Sequence, residues 1–122
     1  MELKREDFER IRKNPIFKGV IVSGSMEPLI KVGEKIVVEV GNRELQRFDV
    51  ITFWMDGKLV CHYVWSMNRV VTPFLLQTRN LKSGSKDVPI NWDDYLGKVI
   101  SHRLSAWDKV KIYFQLRSKR RR

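Results

Sequence analysis

Six consecutive residues, Ser23-Gly24-Ser25-Met26-Glu27-Pro28, set two hydroxyls around a glycine and follow them with a methionine and a proline. The apolar run Val20-Ile21-Val22 leads into them. A strand, a glycine turn and an exposed serine together present a hydroxyl at a strand end, where a substrate can reach it. A serine hydroxyl is a poor nucleophile until a base removes its proton. An imidazole suits that task, because an ordinary histidine titrates near about pH 6.5 and is largely neutral at pH 7. The chain has two histidines, His62 and His102. The competing reading is structural: Ser-Gly-Ser is ordinary turn chemistry, and a single histidine in a strand is commonly a packing residue.

The elements that must position these groups are mostly strands. Glu2 to Asn14 reads as a short helix with Leu3, Phe8 and Ile11 near one face, stopped by Pro15, or else as a charged arm. Beyond Ile16 the period changes. Lys18 to Val22 and Lys35 to Val40 are strand-like, and Gly41-Asn42 is a turn signal. Phe48 to Trp54 and Lys58 to Trp65 form a hairpin about Asp56-Gly57. Arg69 to Thr78 holds one or two short strands broken at Pro73. Asn80 to Asp94 is a polar loop, and Tyr95 to Leu104 is a closing strand that carries His102. Ala106 to Leu116 fits both periods; its alternation favours a strand or extended arm. Short strands with Gly and Pro punctuation predict a mainly β sandwich or partly open barrel.

With 122 residues the chain reads as one domain, residues 1–122, with a helix or arm at 1–14 and a basic tail at 117–122. One cysteine, Cys61, excludes an internal disulfide framework. Next to His62 on a strand it points the other way, which makes it a buried small residue rather than a partner of the imidazole. No stretch nears the roughly 18 apolar residues that span a bilayer, and the charged residues 1–14 read as neither signal peptide nor anchor. Two distant histidines and one cysteine make no zinc site, so no metal or cofactor is expected. The net charge is +10, concentrated in a tail that either touches an anionic membrane surface or is a solvated terminus. The tryptophans are scattered and offer no base-stacking platform, so no specific nucleic acid is expected. The expected location is cytoplasmic, peripheral at a membrane where the tail binds one.

The hexamer resembles the nucleophile box Ser-x-Ser-Met-x-Pro of the serine peptidase superfamily that holds signal peptidases I and LexA-type self-cleaving repressors. Every fixed position matches. Val32-Gly33-Glu34-Lys35-Ile36-Val37-Val38 looks like that superfamily's Gly-Asp-x-Val-x-Val strand, with Glu for Asp. Arg47-Phe48-Asp49-Val50-Ile51-Thr52-Phe53 looks like its Gly-Asp-Val-Ile-x-Phe strand, with Phe for Gly. Leu59-Val60-Cys61-His62-Tyr63-Val64-Trp65 is similar to the Val-x-His-Arg-Val block of archaeal and endoplasmic-reticulum signal peptidases, with Tyr63 for Arg. No lysine takes the histidine's place; Lys58 is four residues early. Tyr95-Leu96-Gly97-Lys98-Val99-Ile100 matches the closing Val-Ile-Gly-Lys-Val strand. The Thr-Lys-Gly-Asp-Asn-Asn segment is only partly kept in Leu76 to Ser83, where Asn80-Leu81 stands for Gly-Asp.

The resemblance implies a signal-peptidase/LexA-like fold and a serine endopeptidase acting on a protein or peptide. By it Ser25 is the nucleophile, His62 the base and Ser23 an oxyanion-hole hydroxyl beside the Ser25 N–H. Gly24, Met26 and Pro28 would line the substrate site. Asp87 is the candidate to orient His62, with Asp93 and Asp94 as weaker choices. His102 matches no motif and is expected to be structural or at the surface. Two alternatives stay open. One is a non-catalytic peptide-binding module, which the missing Gly-Asp favours. The other is a LexA-like self-cleaving regulator, against which stands the lack of a DNA-binding segment before residue 20.

Overall fold

A computed structural model describes residues 3–20, 26–27, 29–68, 75–79, 90, 92–102, 104–105, 109–110 and 112. The protein is mainly β, with one short N-terminal helix. Helix α1 spans Arg5–Ile11. The strands are β1 (Ile16–Val20), β2 (Lys35–Val40), β3 (Val50–Met55), β4 (Lys58–Asn68), β5 (Leu75–Arg79) and β6 (Tyr95–Val99). They form one open antiparallel sheet in the order β1-β2-β6-β3-β4-β5.

Each face of the sheet carries an apolar cluster. Phe8, Met26, Ile36, Val38, Cys61 and Tyr63 belong to one. Ile51, Phe53, Val64 and Tyr95 belong to the other. Strand β3 therefore has no solvent face along Val50–Phe53, all of it buried, and reads as a continuous apolar run rather than an alternation.

The β3–β4 hairpin turns on Asp56 and Gly57, at φ 51° and 76°. Two positive φ values make the turn whose twist matches its strands, and Asp-Gly is suited to it. Helix α1 lies against this hairpin. Phe8 is fully buried and tilts against Trp54, whose indole N–H donates to the Leu3 carbonyl at 2.8 Å. Arg5 reaches Asp94, and Arg12 donates to the Trp92 and Asp93 carbonyls. These arginines tie the helix to the 3-10 turn Trp92–Asp94 that opens into β6. Half-exposed ion pairs contribute little, whereas burying a side chain the size of Phe8 contributes roughly 1.5–3 kcal/mol.

Several boundaries differ from the sequence reading. The helix is shorter than Glu2 to Asn14, because the chain tightens after Ile11: Lys13 N–H bonds Arg10 and Asn14 N–H bonds Ile11. Strand β3 begins at Val50 rather than Phe48, since Phe48 has φ 78° and an extended strand cannot hold that angle. Strand β6 stops at Val99, so His102 lies beyond the sheet. Lys109, Val110 and Ile112 are helical, not extended, and Ile112 is buried in the cluster that contains Phe8. The second predicted strand between Arg69 and Thr78 would begin at residues 69–74, which lie outside the described residues, as does most of the Asn80 to Asp94 loop.

Strand β6 packs closely on β2 at Gly97, where a Cβ would stand 2.2 Å from the Glu39 carbonyl oxygen and 2.9 Å from its carbon. Backbone atoms cannot yield as a flexible side chain can. Gly97→Ala is therefore expected to destabilise the fold by about 3 kcal/mol, measured by urea unfolding. A variant as stable as the wild type would show that β2 and β6 can separate at no cost.

Candidate functional site

Ser23, Gly24, Ser25, Pro28 and Asp87 lie outside the described residues. What is described of the serine box is its anchor. Met26 is 1% exposed and packs in the cluster that contains Cys61 and Tyr63. Its carbonyl accepts the Ile30 N–H at 2.9 Å, and Ile30 is fully buried. Two apolar side chains four residues apart thus fasten the chain that follows Ser25 to the sheet. Met26 anchors this segment from within and does not face an approaching peptide.

His62 sits on β4, opposite Ile51 of β3. It is 6% exposed. Its ring meets Phe53 edge-on, with centroids 5.9 Å apart. Val60 and Val64, two residues to either side, pack in the Phe53 cluster, so His62 shares that face. Cys61 packs on the opposite face, as strand alternation requires. Burial pushes the Cys61 thiol up to about 12, against a smaller opposing pull from the Thr52 hydroxyl. The thiol is a packing group. Asp93 and Asp94 lie on the turn before β6 rather than on a strand beside His62, and Asp94 is already engaged by Arg5.

The blocks on β3, β4 and β6 meet in the sheet. Asp49, which precedes β3, pairs with Lys98 of β6 at 3.4 Å. The Asp49 carboxylate also accepts the Gln46 N–H at 2.8 Å. The Phe48 and Val64 amides bond reciprocally to the Val64 and Asp49 carbonyls, each at 2.8 Å, which prolongs the β3–β4 pairing past the bend at Phe48. Burial, and secondarily the charge of Asp49, push the Tyr95 phenol up, and its hydroxyl donates to the Asn42 carbonyl.

A second constellation had no motif to announce it. Ser101 Oγ lies 2.8 Å from His102 Nδ1, and His102 Nε2 lies 2.9 Å from Glu34 Oε2. Ser101 and His102 are adjacent in the chain, but Glu34 is distant from them. The only sequence signal was a Ser-His pair, which the sequence reading placed within the closing strand. His102 also lines a cleft of about 670 Å³ whose walls include Leu45, Phe48, Leu104, Lys98 and Lys109.

Among the described residues no three His, Cys, Asp or Glu side chains are grouped to hold a metal. No described helix is long and apolar enough to cross a membrane. No protein-family model matches the chain, and no curated protein matches it either.

The buried thiol has two measurable consequences. Cys61 should resist iodoacetamide at pH 8 in the native protein and react readily in urea. Its native value stands above its ordinary value, so its contribution to stability is complete below about pH 9 and is lost as pH rises toward 12. Cys61→Ala should lack that part of the alkaline loss. Rapid native alkylation would contradict the burial.

Proposed function

We propose that the protein is a serine endopeptidase of the signal-peptidase type, with Ser25 as nucleophile and His62 as its base. One observation carries this reading. The blocks that resemble the superfamily fall on β2, β6 and β3, which are neighbours in the sheet, and His62 is buried on the next strand, β4. Four segments scattered over the sequence thereby become neighbouring strands of one sheet, and Met26 of the serine box packs against the face that carries Cys61.

Two details support it. Gly33 has φ 89° and Phe48 has φ 78°. These are the positions at which the superfamily's two Gly-Asp strand motifs carry glycine, and both need the left-handed backbone that glycine adopts freely. Here Phe48 accepts that angle while stacking on Tyr63 and meeting Trp65 edge-on.

In the proposed reaction His62 takes the Ser25 proton as the oxygen attacks a peptide carbonyl. The Ser25 N–H and the Ser23 hydroxyl hold the oxyanion. An acyl-enzyme forms, and water releases it. Strand β1 leads into the serine box and is an edge strand of the sheet among the described residues, so an extended substrate would add to its outer edge. Its exposed Ile16 and Val20 side chains suit an apolar peptide. Asp87 remains the proposed orienting group for the imidazole.

The test is labelling of the whole chain with a fluorophosphonate, read by mass on the tryptic peptide Gly19–Lys31. Label is expected on Ser25, absent in Ser25→Ala and slowed by about a hundredfold or more in His62→Ala, with circular dichroism confirming that both variants fold. A folded protein that takes no label on this peptide, yet binds extended peptides, would replace the peptidase with the binding module that the missing Gly-Asp at Asn80-Leu81 favours.

A further inference from the structure

We propose that Ser101 is a second activated nucleophile, with His102 as its base and Glu34 as the group that orients the base, and that it takes acyl groups from small carboxylic esters. The proposal does not depend on the reading given above.

The protons can be assigned from the partners. The carboxylate of Glu34 is held below its ordinary value, chiefly by its hydrogen bond with His102 and then by the Lys31 N–H. An ionised carboxylate only accepts. His102 Nε2 must therefore carry a hydrogen and donate it to Glu34. In the neutral ring that leaves Nδ1 as an acceptor facing Ser101 Oγ at 2.8 Å. The Ser101 oxygen already accepts the Val37 N–H at 2.9 Å. Its own hydrogen is the one that can satisfy Nδ1. The chain of bonds then runs Ser101 O–H to His102, and His102 N–H to Glu34. That is the polarity of a serine hydrolase relay, with the two ring nitrogens exchanged.

Each member is held in place. Glu34 closes a tight turn, its N–H bonded to the Lys31 carbonyl and its Oε1 accepting the Lys31 N–H, both at 3.0 Å. Ser101 is fixed by Val37, which also accepts the Ile100 N–H at 2.9 Å. The Ser101 side is open, since Ser101 is exposed. His102, next to Ser101 in the chain, forms part of the wall of a cleft that mixes apolar Leu45, Phe48 and Leu104 with charged Asp49, Lys98 and Lys109.

Ser101 Oγ attacks the ester carbonyl carbon and its proton passes to His102 Nδ1. The imidazolium keeps its Nε2 hydrogen on Glu34. The tetrahedral adduct collapses, the bond from carbon to the alcohol oxygen breaks, and the Nδ1 proton goes to that oxygen. Water repeats the sequence on the acyl-serine, which releases the carboxylic acid and restores the hydroxyl.

The test uses the full chain with p-nitrophenyl acetate, quenched in acid and digested with trypsin. Acetyl is expected on the peptide Val99–Arg103, which contains no lysine. It should be absent in Ser101→Ala. His102→Gln, which leaves the Ser101–Val37 bond in place, should slow acetylation by about a hundredfold or more, and Glu34→Gln by a smaller factor. A Val99–Arg103 peptide free of acetyl in the wild type, or one acetylated at an unchanged rate in His102→Gln, overturns the proposal. Modification of Ser25 appears on Gly19–Lys31, so failure of either site is read separately from the other.

Discussion

The close approach of β6 to β2 at Gly97 is the constraint on which the rest depends. In the sheet order, β1 and β2 stand on one side of β6, and β3, β4 and β5 on the other. The serine box leaves β1, and His62 belongs to β4. The two parts of the sheet that carry the proposed nucleophile and base are joined through β6. That junction needs a residue without a side chain where the Glu39 carbonyl passes. The Asp49–Lys98 pair spans the same junction from the other neighbour. Helix α1, pinned by Arg5 and Arg12 to the turn that opens into β6, closes it from the N-terminal side.

Burial on both faces sets the surroundings of the proposed site. An antiparallel sheet commonly leaves one face to water. Here β3 is covered on both, and His62 and Cys61 go to opposite clusters although they are neighbours in the chain. A buried imidazole whose ring is held against Phe53 cannot swing freely. Such restriction lowers the entropy cost of placing a base against a nucleophile. The same logic applies past the end of β6, where the chain leaves the ladder and Ser101, His102 and Glu34 lock one another by hydrogen bonds instead of by packing.

Much of the fold was legible in the chain. The Asp-Gly hairpin, the apolar run of β2 and the Phe8 face of the helix follow from local rules: turn geometry, strand propensity and helical periodicity act over a few residues. The misreadings share a different cause. Phe48 looks like a strand residue by type, but its backbone is bent by bonds to Val64, a residue far along the chain. The segment from Ala106 alternates like a strand, yet Lys109, Val110 and Ile112 are helical. Burial of Ile112 among residues of α1 and the sheet decides between two periods that its sequence fits equally.

By itself, then, the sequence determined the mainly β class, the hairpin, the opposite facing of Cys61 and His62, and the likeness of its serine and histidine blocks to a peptidase pattern. Those features depend on residues close in the chain. Only the tertiary structure decided that the strands form one open sheet, that β6 enters between β2 and β3, and that Glu34 meets His102. These depend on contacts between residues tens of positions apart, whose pairing is selected by the total burial of two apolar clusters. No short stretch of sequence carries that sum.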